Sequence, residues 1–230
     1  MSATIIQGDC LEVLRGMDAG SVDAIVTDPP YEIGGQVARG GGAARVSLPS
    51  WDVADHSWLE HGSRAVVSGG SVVAFCDTKR VTDLWRAMEG AGLSPRQVVA
   101  WVKHAVPPNP RRGFQSALEL AVWAINGRPA KDWNGGALTP NVWFGNIVTT
   151  DRLHETQKPV DLMRWLVRLV TPPGGLVLDP FAGSGTTGIA CHLEGRRFIG
   201  IEREAKHAET ARSRINDATR QGMLSLEVRP

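Results

Sequence analysis

The chain has 230 residues, 42% hydrophobic and 21% charged, with a net charge of +1, enough for one α/β domain and too neutral to announce a polyanionic partner by charge alone. No apolar run approaches the ~20 residues of a membrane span, and Met1–Asp9 has no basic stretch followed by an apolar one, so no membrane and a cytoplasmic location are expected. Cys10, Cys76 and Cys191 are odd in number and not in metal spacing, which argues against a disulfide framework or a metal site.

In chain order, Thr4–Gln7 reads as a strand and Cys10–Gly16 as a helix, followed by a second strand, Val22–Thr27. That strand runs into Asp28-Pro-Pro-Tyr31. Two prolines lock the backbone just past the strand, fixing the carbonyl of Pro29 beside the Asp28 carboxylate. Together these are two rigid acceptors that match the two hydrogens of an exocyclic NH2 group. Pro30 completes the turn and Tyr31 offers a face for stacking a base. The plainer alternative is a Pro-Pro turn capped by Asp28. Next comes 34–49, with Gly34, Gly35, Gly40, Gly41 and Gly42 beside Arg39 and Arg45, which reads as a loop.

Ser71–Cys76 reads as a strand, Thr78–Gly90 as a helix, and Gln97–Val102 and Leu118–Ile125 as strands. From Arg96 to Lys131 there are six basic residues, among them Lys103, Arg111 and Arg112, and one acid, Glu119. Such a cluster suits phosphate contacts or a solvated basic surface. Pro107–Gly113 is loop-like. A helix follows over Pro159–Val170, then a strand over Leu176–Leu178.

This strand opens Asp179-Pro-Phe-Ala-Gly-Ser-Gly-Thr-Thr-Gly188, with Gly183 and Gly185 in a turn before a helix over Thr186–Glu194. Glycines let a ligand approach the backbone closely. Glu202 ends the next apolar run, Phe198–Ile201, where an acid can accept hydrogen bonds from ribose hydroxyls. The pattern binds a nucleoside-containing cofactor. Gly183–Gly188 also fits a dinucleotide pattern, so NAD is an alternative. The Asp179-Pro180-Phe181 lead-in tips the balance, because a carboxylate repels pyrophosphate and suits the cationic groups of S-adenosylmethionine. A last helix spans Glu204–Ala218. Strands alternating with helices, with no internal repeat or dividing linker, argue for a mostly parallel sheet covered on both faces.

Asp28–Tyr31 and Asp179–Thr186 together resemble the motifs of the amino-methylating DNA methyltransferases, in the order of their β-group. Gln7–Glu12 resembles the segment reaching the cofactor's adenine, which casts Asp9, with Cys10 beside it, as contacts. His154-Glu-Thr-Gln-Lys-Pro159 is similar to the segment beside the cofactor's methionine end, bringing in Lys158, although Glu155 replaces the usual proline. The resemblance assigns Pro180, Phe181, Ser184, Thr186 and Thr187 to the same cofactor site. It implies a single Rossmann-like domain over 1–230, a seven-stranded mostly parallel sheet with one antiparallel strand, and a permuted motif order.

The implied reaction is methyl transfer from S-adenosylmethionine to N6 of adenine in DNA, since Asp rather than Ser at position 28 leans towards adenine. Cytosine N4 is the main alternative, and an NAD oxidoreductase or a non-catalytic nucleotide-binding regulator are remote ones. Cytosine-C5 chemistry needs a thiolate, usually in a Pro-Cys pair, and Cys10, Cys76 and Cys191 follow Asp9, Phe75 and Ala190. A base inside a duplex must be flipped out to react. Double-stranded DNA is the expected partner, contacted by loops 34–49 and 107–134 through Arg39, Arg45, Lys103, Arg111 and Arg112, with Trp133 and Trp143 as further candidates. A homodimer and a cognate restriction endonuclease are also compatible with the family.

Overall fold

The computed structural model describes residues 2–30, 56–104, 114–127, 133–147 and 157–227, with side chains to residue 220. The strands are β1 (Ala3–Gln7), β2 (Val22–Thr27), β3 (Val66–Cys76), β4 (Leu93–Lys103), β5 (Leu118–Asn126), β6 (Val142–Gly145), β7 (Leu176–Asp179) and β8 (Arg197–Glu202). The helices are α1 (Cys10–Gly16), α2 (Trp58–Ala65), α3 (Val81–Gly90), α4 (Val160–Val170), α5 (Thr186–Leu193) and α6 (Ala205–Glu227).

The strands form one sheet in the order β1-β8-β7-β2-β3-β5-β4-β6. Only β5 runs against the others: it pairs antiparallel with both β3 and β4, and every other pairing is parallel. The sheet has eight strands among the described residues, which corrects the expected seven. The addition is β6, four residues that pair in parallel with the end of β4, from Ala100↔Val142 to Lys103↔Gly145. So short an edge segment leaves almost no periodic signal.

Burial explains why the central strands read as continuous apolar runs. Ala24, Ile25 and Val26 of β2 are fully buried, because helices cover both faces of a parallel sheet. One face packs Leu162, Met163 and Leu166 of α4 with Ile189 of α5 and Ile215 of α6. The other packs Leu14 of α1, Trp58 and Leu59 of α2, and Leu84 and Met88 of α3.

Two strands begin earlier than their apolar runs suggest. In β3, Gly69 and Gly70 interrupt the pattern, yet a Cβ at Gly70 would lie 2.5 Å from the Asp23 carbonyl, so glycine permits the close approach to β2. In β4, Pro95 interrupts, and the register shifts between Pro95 and Gln97. Helix α3 starts at Val81 rather than Thr78, because a turn intervenes in which the Asp77 carboxylate accepts from the Lys79 amide at 2.8 Å. Helix α2 was not expected; Gly62 and Ser63 dilute its helical pattern.

The sheet order fixes where a ligand can bind. From β7 the chain proceeds to β8 on one side, and from β2 to β3 on the other. Connections that leave neighbouring strands in opposite directions open a crevice beyond their carboxyl ends. That crevice lies between β2 and β7, which are adjacent through Ala24↔Val177 and Ile25↔Leu178 although far apart in sequence.

Candidate active site

The crevice is a cleft with about 440 Å³ of free space, open solvent included, lined among others by Asp28, Lys158, Asp179, Phe181, Gly183 and Thr187. Asp28 lies just past the end of β2, with its side chain 20% exposed. Pro29 behind it is buried and Pro30 half-buried. Tyr31 lies outside the described residues, as do Arg39, Arg45, Arg111, Arg112 and His154.

Asp179 ends β7 and is buried. Its Oδ1 accepts from the Thr27 hydroxyl at 2.6 Å and the Phe181 amide at 3.1 Å, and its Oδ2 accepts from the Thr187 hydroxyl at 2.6 Å. The carboxylate therefore ties β2 to β7 and shapes the turn that follows. Burial pushes its pKa up to about 6 against the pull of these three donors, and the nearby Asp28 charge adds to the rise.

After the buried Pro180, Phe181 meets Trp58 edge-on at 5.8 Å. Gly183 and Gly185 then adopt φ of +51° and +79°, which glycine tolerates best. A Cβ at Gly185 would also stand 2.9 Å from the Cβ of Ala211 on α6. The same helix staples the turn: Arg214 Nη1 donates to the Ser184 carbonyl at 2.5 Å and hydroxyl at 2.9 Å, and reaches the Thr186 hydroxyl at 3.4 Å. Burial lowers the pKa of this guanidinium.

Glu202, at the end of β8, accepts from the Gly183 amide on Oε2 and from the Glu204 amide on Oε1, both at 2.8 Å. A carboxylate oxygen has two acceptor sites, so each retains capacity for a ligand hydroxyl. Neighbouring β1 brings Asp9 to the same edge, the Gly8 amide donating to the Glu202 carbonyl at 3.0 Å. Asp9 caps α1 by accepting from the Leu11 amide at 2.9 Å, and Cys10 is that helix's half-buried first residue.

On the other flank, Lys158 Nζ lies 2.6 Å from Asp28 Oδ2 and 3.0 Å from Glu119 Oε2, and 5.0 Å from the centre of the Phe75 ring. Lys103 closes the row, 2.8 Å from Glu119 Oε1. Burial would raise the pKa of Glu119, but the Lys158 and Lys103 ammonium groups outweigh it and hold the carboxyl below its usual range. Lys103, expected at a DNA phosphate, is thus turned towards Glu119, with only 16% of its side chain exposed.

Trp133 packs 5.0 Å from Trp123, and Trp143 6.3 Å from Trp101, both against the core. Sequence reading missed the site roles of Glu119, Arg214 and Thr27. Glu119 left one trace, as the single acid in a basic stretch. Arg214 is one of several charged residues on α6, a helix half-buried through Ala208, Ala211 and Ile215, and left none.

Residues 22–213 match a family described as DNA methylase. The type II methyltransferase M2.DpnII of Streptococcus pneumoniae is 29% identical over 92% of this chain and 88% of its own. The structure of M1.HpyAVI in complex with SAM is 28% identical and superposes with a TM-score of 0.76, over 93% of this chain and 99% of that one. PvuII DNA methyltransferase, cytosine-N4-specific, is 17% identical with a TM-score of 0.71 over 96% of this chain and 92% of its own, a likeness of fold alone.

Proposed function

The chain belongs to the DNA methylase family, and from that premise we propose that it transfers the methyl group of S-adenosylmethionine to the N6 amino group of adenine in DNA. The observation that carries this reading is the crevice between β2 and β7, where Asp28 faces the glycine turn across one cleft. The donor set suits the cofactor. Gly183 allows close approach, Glu202 has spare acceptors for ribose hydroxyls, Asp9 stands beside it for the adenine, and Asp28 adds negative charge towards a cationic ligand. The glycine turn is not followed by the lysine of a phosphate-binding loop.

S-adenosylmethionine supplies a methyl group already activated by its sulfonium. The chain's own work is to make the amino nitrogen a nucleophile and to aim it. That lone pair is delocalised into the base ring. Asp28 and the Pro29 carbonyl accept the two amino hydrogens, which favours a tetrahedral nitrogen with its lone pair directed at the methyl. Tyr31 stacks on the flipped base. Asp28, rather than serine, supports adenine. The PvuII likeness, being one of fold, bears on neither base.

We read 1–230 as one methyltransferase domain that contacts double-stranded DNA through loops 34–49 and 107–134. A homodimer and, on the strength of the type II relative, a cognate restriction endonuclease are the protein partners this reading brings with it. Acting on cellular DNA, the chain belongs in the cytoplasm. Among the described residues no helix is long and apolar enough to cross a membrane.

In a host expressing the chain, methylation-sensitive sequencing should find modified adenine at one recurrent sequence; N4-methylcytosine there would reassign the base. The loop arginines make a separate prediction. Neutralising Arg111 and Arg112 together should weaken DNA binding and reduce the slope of log affinity against log salt by about 2, since each lost phosphate contact removes about 1. S-adenosylmethionine affinity should be unchanged. Titrating labelled duplex at several salt concentrations checks this, and an unchanged slope would move the DNA-binding face elsewhere.

A further inference from the structure

Glu119 meets Lys158, which lines the cleft, only because β5 runs against its neighbours. The start of an antiparallel strand meets the carboxyl ends of the parallel ones, and Glu119 pairs in register with Trp101 of β4 while the next residue, Leu120, pairs with Cys76 of β3. From there its carboxylate reaches Lys158, whose side chain is 5% exposed and whose ammonium also holds Asp28. Asp28 is the residue assigned to the base amino group.

An ammonium with Asp28 alone for company would neutralise it and compete with the base hydrogens for its oxygens. Asp28 at 2.6 Å and Glu119 at 3.0 Å both attract Lys158, Asp28 through a hydrogen bond and the buried Glu119 Oε2 by charge alone. With Glu119 ionised, the Lys158 ammonium is shared between two carboxylates rather than spent on Asp28, and Lys103 beside Glu119 brings the four charges to zero. Lys103, 2.8 Å from the other Glu119 oxygen, keeps that carboxylate oriented.

We propose that Glu119 is a positioning residue for methyl transfer, sharing the Lys158 ammonium so that Asp28 remains a strong acceptor for the amino group of the base. The inference rests on the methyltransferase reading above and adds a residue to its machinery. Glu119 touches neither base nor cofactor and acts through Lys158.

The test is single-turnover methyl transfer from labelled S-adenosylmethionine to unmethylated genomic DNA of mixed sequence, with the active fraction fixed by cofactor titration. Glu119→Gln, which keeps shape and loses charge, should slow the transfer step by about tenfold or more, as expected for losing one charge-assisted contact. The cofactor's Kd should stay within about twofold, a split between rate and binding that marks an interaction used in the transition state. Glu119→Asp should restore part of the rate, and carries the test if the Gln variant does not fold.

In a Lys158→Met background the same Gln substitution should have almost no further effect, because its route to Asp28 is gone. A purely structural Glu119 would instead lower the active fraction and the melting temperature, with the rate per active site unchanged and the two substitutions additive. Either of those results overturns the proposal while wild-type transfer leaves the methyltransferase reading standing. A wild-type chain inert towards S-adenosylmethionine and DNA removes that reading, and this inference with it.

Discussion

Replacing Asp28 with alanine should reduce methyl transfer by about a hundredfold to a thousandfold, the scale seen when one preorganised electrostatic group is deleted from an active site. The reasoning runs from the strand upward. Prolines 29 and 30 stiffen the chain immediately after β2, so the carboxylate sits at a fixed place in the cleft. Its proposed partners are the hydrogens of the base amino group, and the glycine turn proposed to hold the bulk of the cofactor lies across the cleft. Cofactor affinity should therefore change by no more than a few-fold. The fold should survive, because Lys158 retains Glu119 at 3.0 Å when Asp28 is gone. Asp28→Asn should fall between the two, since the amide keeps one acceptor oxygen but turns donor hydrogens towards the base. Calorimetry with S-adenosylmethionine alongside a transfer assay reads both quantities. Wild-type turnover by Asp28→Ala would end this account of the amine pocket.

Replacing Glu202 with alanine should weaken S-adenosylmethionine binding by roughly tenfold to a hundredfold, the scale of one charge-assisted hydrogen bond at ~1.5–3 kcal/mol. Two losses combine. The ribose hydroxyls lose their acceptor, and the Gly183 and Glu204 amides lose the carboxylate that holds each at 2.8 Å. The second loss loosens the glycine turn before any ligand arrives. Glu202→Gln separates them in part, since it keeps one acceptor oxygen and should give an intermediate affinity. Titration calorimetry on the three proteins makes the comparison. Equal affinity in all three would remove Glu202 from the cofactor site, and a melting temperature raised by NAD rather than by S-adenosylmethionine would contradict the cofactor itself.

What could be read ahead of the structure follows from what each element buries. Strands such as Val22–Thr27 are covered on both faces, so they stand out as unbroken apolar runs. The glycine turn was legible because its φ values of +51° and +79° demand a residue type visible in the sequence. Strand β6 was not, since four residues on a sheet edge bury too little to impose a pattern. Nor was helix α2, whose fully buried Trp58 and Leu59 sit within a polar, glycine-containing stretch.

The site divides along the same line. Asp28, Asp179 and Glu202 each follow an apolar strand, and the end of a strand is where such a sheet puts its chemistry. That Thr27 and Asp179, 152 residues apart, share a 2.6 Å hydrogen bond depends on the strand order, which no local pattern encodes. Glu119 is the sharpest case. It precedes most of its strand instead of following it, and only the reversed direction of β5 carries it to the carboxyl ends of the parallel strands. Lys103, a basic residue in a basic stretch and so an expected phosphate contact, also pairs its ammonium with that same Glu119, a partner no local pattern encodes.

The most direct measurement is transfer of a labelled methyl group by the purified chain. The protein is incubated with methyl-labelled S-adenosylmethionine and unmethylated double-stranded DNA, and the DNA is then digested to nucleosides and separated. The label should co-migrate with the N6-methyl derivative of deoxyadenosine, and should do so only when chain, cofactor and DNA are all present. Label at C5 of deoxycytidine, or in no nucleoside at all, would contradict amino-methylation by Asp28 and the glycine turn.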